Sequence, residues 1–206
     1  MRLLVATYNT GKMVEYAELL QELPIELVSL ADLNIEFEVD ETGTTFAENA
    51  LLKARAFAEA SGLVTMADDS GLEVDALDGA PGVYSARYAG PDASDEDRYR
   101  KLLEEIADAP HTERTARFRC VIALAWPDGR RAFTEGTVEG KIACTPRGEH
   151  GFGYDPVFYL PEYRRTMAEL PPEIKNQISH RAEAARALAD LLSRCLAAGH
   201  CQANQA

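Results

Sequence analysis

Residues 115–126 alternate between apolar and polar side chains as far as Cys120, then turn almost wholly apolar up to Trp126, the pattern of a long central strand. Pro127, Asp128 and Gly129 make a turn, and residues 131–142 return as an antiparallel partner. Elsewhere short apolar runs alternate with helical patterns, so the sheet is expected to be mixed rather than purely parallel. A chain of 206 residues, 46% hydrophobic and 27% charged, is long enough for one sizeable core, as one large domain or two lobes. The net charge of -13 argues against a nucleic-acid partner, because an acidic surface gains nothing from counterion release.

The chain opens with a short buried strand at residues 3–6. Thr7, Tyr8, Asn9, Thr10, Gly11 and Lys12 follow, before a helix whose apolar positions include Val14, Ala17, Leu19 and Leu20. A strand, a glycine-containing loop, a lysine and a helix start form an anion site when the free N–H groups and the helix dipole face a ligand. It is not a Walker A loop, since neither Ser nor Thr follows the Gly-Lys pair. An ordinary strand-to-helix turn is the alternative.

A second strand is expected at residues 25–30, then an acidic segment ending in Asp40, Glu41, Thr42 and Gly43. Thr45 and Glu48 have the spacing of a capping box, and Gly62 supplies the stop of that helix. Asn49 and Lys53, four apart, present an amide and an ammonium on one helix face. Next come Ala67, Asp68, Asp69, Ser70 and Gly71, where a strand is expected to give way to a turn. Two adjacent carboxylates repel unless a cation or proton lies between them. The pair therefore suggests divalent metal binding or a carboxylate of raised pKa acting as general base, with a solvated turn as the alternative.

Residues 72–77 alternate like a strand, and residues 79–90 form a long loop bearing Tyr84, Ser85, Arg87 and Tyr88, which suits a functional or dimer contact. Ser94 caps a helix whose first turn is acidic. Gly148, Gly151 and Gly153 surround Phe152 and precede Tyr154 and Asp155. Such a stretch lets the backbone approach a flat ligand while the rings stack on it, or is a turn whose aromatics fill the core. Lys175 lies on a short helical piece, and Ser179 caps the last helix. His180 and Arg181 then fall in its first turn, where a cation opposes the dipole and needs a partner, plausibly a ligand.

The four cysteines, Cys120, Cys144, Cys195 and Cys201, show no metal spacing and read as reduced thiols of a cytoplasmic protein. No run of about 18 apolar residues occurs, so neither export nor membrane insertion is expected. Residues 1–196 are read as a single two-lobed domain and 197–206 as a frayed tail.

Taken together, six blocks in order make the chain resemble the inosine/xanthosine triphosphate pyrophosphatase, or Ham1-like, family. They are Thr7-x-Asn9-x-Gly11-Lys12, the run from Glu41 to Ala50, the run from Ala67 to Leu72, the run from Gly79 to Tyr88, the run from Gly151 to Pro156, and Lys175 with Ser179-His180-Arg181. The resemblance implies an α/β protein with two lobes around a long, mixed, twisted sheet, helices on both sides, a central substrate cleft and a homodimeric state. It also implies Mg2+-dependent cleavage of ITP, dITP and XTP between the α and β phosphates. On that pattern Thr7, Tyr8, Asn9, Thr10, Gly11, Lys12, Lys53 and Lys175 serve the triphosphate and Ser70 touches substrate. Asp40 or Glu41, with Asp69, holds Mg2+, and Asp69 takes the proton of the attacking water. Phe152, Gly153, Tyr154 and Asp155 bind the base, while Arg181 and His180 donate to a purine 6-oxygen that adenine lacks. An all-helical nucleotide pyrophosphatase conflicts with the strands, and a non-catalytic nucleotide-binding module has no need of Asp69 beside a metal.

Overall fold

The computed structural model describes residues 1–198. In chain order it contains β1 (Arg2–Val5), α1 (Thr10–Leu19), β2 (Glu26–Ser29), α2 (Phe46–Ser61), β3 (Val64–Val74), α3 (Asp95–Glu105) and β4 (Thr115–Ala125). After these come β5 (Arg131–Ile142), β6 (Phe158–Leu160), β7 (Arg165–Thr166), α4 (Pro172–Ile178) and α5 (His180–Ala197). Seven strands form one sheet in the order β2-β1-β3-β4-β5-β6-β7. β1 is parallel to β2 and β3, whereas β6 is antiparallel to β5 and β7, so the protein is α/β with a mixed sheet.

The chain divides into two compact units. The first comprises Met1–Asp69, Cys120–Gly136 and the chain from Arg181 onward; the second comprises Ser70–Arg119 and Thr137–His180. In the first unit, the period of two along each strand sorts side chains onto two faces. Leu3, Val5, Val64, Met66, Cys120, Ile122 and Leu124 pack against Tyr16 and Leu20 of α1 and Ala184, Ala185, Leu188 and Leu192 of α5. Leu4, Ala6, Val28, Ala67, Ala123 and Ala125 pack on the other face against Ala50, Ala54, Phe57 and Ala58 of α2. That second face is a seam of alanines, which lets α2 lie close to the sheet. Truncating a fully buried leucine such as Leu3 or Leu4 to Ala costs about 2–5 kcal/mol.

Helix α2 begins and ends where its local chemistry dictates. The Thr45 side chain accepts from the Glu48 amide, the Glu48 carboxylate accepts in return from the Thr45 amide, and Gly62 closes the helix in the left-handed region at φ 68°. In the second unit, Leu72 and Val74 of β3, Leu102 and Ile106 of α3 and Ala116 and Phe118 of β4 share a core with Ile142, Phe158, Leu160, Met167 and Leu170. Ser94 and Asp97 form a second capping box at the start of α3.

Three expectations are corrected. The stretch 67–71 is not a turn, because β3 runs through it unbroken. Its polar side chains take partners from distant elements instead of from the local backbone. The expected strand at 72–77 stops at Val74, and Asp75–Leu77 is a turn of 3-10 helix closed by the Gly79 amide on the Val74 carbonyl. In the loop at 79–90, Gly82–Arg87 is 3-10 helix, held by Ser85, whose hydroxyl accepts from the Leu72 amide (2.9 Å) and donates to the Gly82 carbonyl (2.6 Å). Of the expected tail, Ala197 belongs to α5 and residues 199–206, with Cys201, lie outside the described residues. Among the described residues no helix is long and apolar enough to cross a membrane.

Candidate active site

The loop after β1 is shaped by its own side chains. Asn9 caps α1 by accepting from the Lys12 amide (3.0 Å), and its own amide donates to the Thr7 hydroxyl (3.1 Å). Thr10 and Gly11, both exposed, open the helix, where amide groups have no intrahelical acceptor. Tyr8 turns away from this row of amides: its hydroxyl donates to the Phe37 carbonyl at 2.8 Å, with the Ile35 carbonyl at 3.1 Å.

Strand alternation decides the fate of the two aspartates. Asp68 falls on the face of Met66, toward α1 and α5, and is buried. The Lys12 ammonium donates to its carboxylate at 2.7 Å, the Arg181 guanidinium lies 3.8 Å away, and the Cys120 thiol is 3.9 Å off. Arg181 also donates to Glu15 at 2.5 Å. Burial pushes the Asp68 carboxyl up, but Lys12, Arg181 and Lys53 outweigh it and hold the group well below the usual carboxylate range. Burial likewise opposes the charge of Arg181, and Asp68, Tyr16 and Glu15 reverse that, so the guanidinium stays charged. The Cys120 thiol, buried next to Asp68, is pushed up to about 12. The locally unfavourable cation at the start of α5 thus has Asp68 and Glu15 as counter-charges from within the chain.

Asp69 falls on the opposite face, with Ala67, and looks toward α2. The Asn49 amide donates to it at 3.1 Å and the Lys53 ammonium stands 3.9 Å away. Lys53 in turn donates to Glu41 at 2.5 Å, so one ammonium serves both carboxylates. Burial raises the Asp69 pKa, and the Glu41 carboxylate adds to it against the pull of Lys53, Asn49 and Lys12. For Lys53, burial lowers the pKa, but Asp69, Asp68 and Glu41 raise it further. Asp40 is exposed, whereas Glu41 is half-buried beside Lys53. The amide of Gly43 donates to the Asn49 carbonyl oxygen at 2.8 Å, and a Cβ on Gly43 would come within 2.7 Å of that oxygen. This close approach ties the acidic segment to α2.

The glycine-rich loop of the second unit forms its own cluster. Gly151 has φ +79°, and a Cβ there would meet the Asp155 Oδ2 at 2.0 Å. The same oxygen accepts from the Phe152 amide (3.0 Å) and from Lys175 (2.8 Å), whose ammonium sits 4.5 Å from the Phe152 ring centroid. The Gly153 amide donates to Asp95 at 2.7 Å. Phe152 is half-buried, but Tyr154 is a core residue, only 4% exposed, whose hydroxyl donates to the Ser85 carbonyl at 2.9 Å. Its burial raises the phenol pKa. Of the two rings expected to stack on a ligand, Tyr154 belongs to the core. His180 is buried and stacks on Phe118 with centroids 4.9 Å apart. Ser70 lies half-buried on β3 and is the first residue of the second unit.

Sequence reasoning thus named Lys12, Lys53, Arg181, Glu41 and Asp69, which the first unit brings together. It missed Glu15 and Asp95, and it gave Asp68 no task of its own. Two signals pointed to them. Period-two alternation separates Asp68 from Asp69, and Glu15 follows Lys12 by three on a helix, the spacing of neighbours.

A helix start with free amides, beside lysines and paired strand carboxylates on an α/β sheet, is equipped to take an anion and a hard divalent cation together. The comparisons give this class its place: the chain belongs to the Ham1 family, whose profile matches residues 3–191. It is 55% identical over 191 residues to a dITP/XTP pyrophosphatase of Geobacter sulfurreducens, covering 93% of this chain and 96% of that one. With a dITP/XTP pyrophosphatase of Desulforamulus reducens it shares 53% identity over 194 residues, 94% of this chain and 96% of the other. The solved structure of a HAM1 protein from Coxiella burnetii superposes with a TM-score of 0.88 at 44% identity, covering 94% of this chain and 99% of its own.

Proposed function

We propose that this protein is a nucleoside triphosphate pyrophosphatase. It hydrolyses the non-standard purine nucleotides ITP, dITP and XTP to the monophosphate and pyrophosphate, clearing them before polymerases can use them. The observation that carries the reading is the unlike state of two neighbouring carboxylates. Asp68 is held charged by Lys12 and Arg181, while burial raises the pKa of Asp69. Asp69 stands beside Asn49, Lys53 and, through Lys53, Glu41, the surroundings of a carboxylate placed for chemistry.

Roles follow from the geometry each residue has. The first-turn amides of α1 and Lys12 receive phosphate oxygens. An ammonium has three donors, so the bond from Lys12 to Asp68 leaves two for a ligand. Glu41 and Asp69 hold the divalent cation. They fit it because they already share one positive charge, that of Lys53, and Mg2+ takes few carboxylates and keeps several waters. Bound there, Mg2+ supplies Lewis-acid polarisation of the phosphate oxygens. Asp69 takes a proton from the water whose oxygen bonds to the α-phosphorus, as the bond from that phosphorus to the bridging oxygen breaks and pyrophosphate leaves.

Phe152 is assigned the face of the base, with Asp155 and Lys175 fixing the ring from below. Arg181 and His180 are assigned the purine 6-oxygen, and Ser70 and Gly153 further substrate contacts. The working unit is read as a homodimer, a reading supported by Tyr84, 58% exposed under the guanidinium of Arg87. The cytoplasm is read as its compartment, in line with the free thiols Cys120, Cys144 and Cys195.

The test is pyrophosphate release from ITP, XTP, GTP and ATP, each with Mg2+ and with a chelator. Metal-dependent release from ITP and XTP with ATP nearly inert is the expected result. Equal rates on all four overturn the base assignment, and binding without release overturns the enzyme.

A further inference from the structure

Tyr8 lies inside the loop that presents the α1 amides, yet its side chain serves a different segment. Its ring meets Phe57 of α2 edge-on, with centroids 6.5 Å apart at 73°, and Phe37 stacks on the same Phe57 at 4.9 Å and 20°. Its hydroxyl donates to the Phe37 carbonyl and reaches that of Ile35, 27 to 29 residues along the chain. Residues 35–43 have no regular secondary structure. They carry Glu36, Glu38, Asp40 and Glu41, four carboxylates that repel one another and favour an expanded chain.

That acidic segment is pinned at its far end by the Gly43 amide on Asn49. At its near end the Ile35 amide bonds the Leu30 carbonyl, and beyond it Tyr8 holds the Phe37 carbonyl. Glu41 lies between these pins, where its carboxylate also pairs with Lys53. Tyr8 is 51% exposed; slight desolvation of its hydroxyl, and after it the carboxylates of Glu38 and Glu36, raise its pKa, and a phenol is in any case a donor at neutral pH.

We propose that Tyr8 is a positioning residue: its hydroxyl latches the acidic segment 35–41 to the phosphate-facing loop and so sets the place of Glu41. This rests on the reading that Glu41 holds the divalent cation, and it gives Tyr8 a task other than contact with substrate. Loss of the hydroxyl leaves the ring on Phe57 but loosens the segment, which keeps Phe37 on Phe57 and Glu41 on Lys53, so an ion bound through Glu41 must do more to order the chain that carries it.

The experiment compares Tyr8→Phe with the parent protein by hydrogen exchange without ligand and by calorimetric titration with Mg2+. One lost hydrogen bond predicts exchange about five- to tenfold faster at the hydrogen-bonded amides of Ile35, Thr42 and Gly43 that bracket the segment, unchanged protection in α2, and Mg2+ affinity weaker by about threefold to tenfold. In the turnover assay with ITP, the Mg2+ concentration for half-maximal release rises by the same factor. Unchanged exchange at Ile35, Thr42 and Gly43 overturns the latch. Faster exchange with unchanged Mg2+ affinity overturns the positioning role and leaves Tyr8 a packing residue. A parent protein that releases no pyrophosphate from ITP refutes the enzyme reading instead, and the exchange and titration results still decide on Tyr8.

Discussion

On the face of β3 that Asp68 shares with Met66, each carboxylate is matched by a cation: Asp68 by Lys12 and Arg181, and Glu15 by Arg181. One residue on, on the face that Asp69 shares with Ala67, the Lys53 ammonium is divided between Asp69 and Glu41. In the first arrangement the charges are mutually dependent, because a buried pair that loses one member leaves the other charge stranded. The second gathers two carboxylates, Asp69 and Glu41, around the Lys53 ammonium, an acidic pair of the kind a divalent ion takes. The same side chain, placed at adjacent positions of one strand, is in one case scaffold and in the other chemistry.

The contrast is broken most directly by Asp69→Asn. Turnover should fall by about a thousandfold, within the usual range for a lost general base, while ITP binding measured by calorimetry persists. Turnover within a fewfold of the parent would remove Asp69 from the reaction.

Asp68→Asn should act on stability first. It strips the buried guanidinium and ammonium of their shared counter-charge and should cost about 3–5 kcal/mol in urea unfolding at pH 7. Acid reduces this difference. The Asp68 pKa is lower folded than unfolded, so its contribution is fully present above the ordinary carboxylate pKa, about 3.9, and fades as pH falls toward the folded value. The gap between parent and Asp68→Asn urea midpoints should therefore shrink below about pH 4. Asp69 has the opposite sign, since its folded pKa is raised. Its charged form disfavours the fold at neutral pH, and the cost is relieved as pH drops through that raised value.

The smallest of these effects is expected for Asn49→Ala. The substitution leaves the Gly43 amide and the Asp69 carboxylate each short of a hydrogen-bond partner, at about 1–3 kcal/mol in urea unfolding. It should weaken Mg2+ binding in the same titration that tests Tyr8, while Asp68→Asn at a permissive temperature should not.

Much of the fold could be read from local signals. The limits of α2 follow from Thr45, Glu48 and Gly62, all within reach of their own helix, and β5 spans the residues that its pattern marks. What could not be read locally was the stretch 67–71, since Asp, Asp, Ser and Gly all favour turns. The partners that keep it extended come from far away: Lys12 is 56 residues from Asp68, and Asn49 is 20 from Asp69. The candidate site was legible to a similar degree. Lys12, Lys53 and Asp69 stood out by residue type and place, but nothing near Tyr154 in sequence signals that the Ser85 carbonyl will draw its hydroxyl into the core. Phe152 and Tyr154 look alike on the page; tertiary packing alone tells them apart.

The alanine seam under α2 enlarges the part of the chain on which activity depends. Ala50, Ala54 and Ala58 meet Ala67, Ala123 and Ala125 with almost no exposure, and Asn49 and Lys53 ride on the same helix. Valine at Ala50 or Ala54 is a one-step change in any alanine codon, and the added bulk, at about 1–3 kcal/mol of overpacking, lifts the helix from the sheet. The Lys53 ammonium and the Asn49 amide would move with it, away from a carboxylate that the substitution never touches. The mutational target of the chemistry thus extends over a surface of methyl groups, and drift in an inert-looking interior would register first as a change in metal requirement.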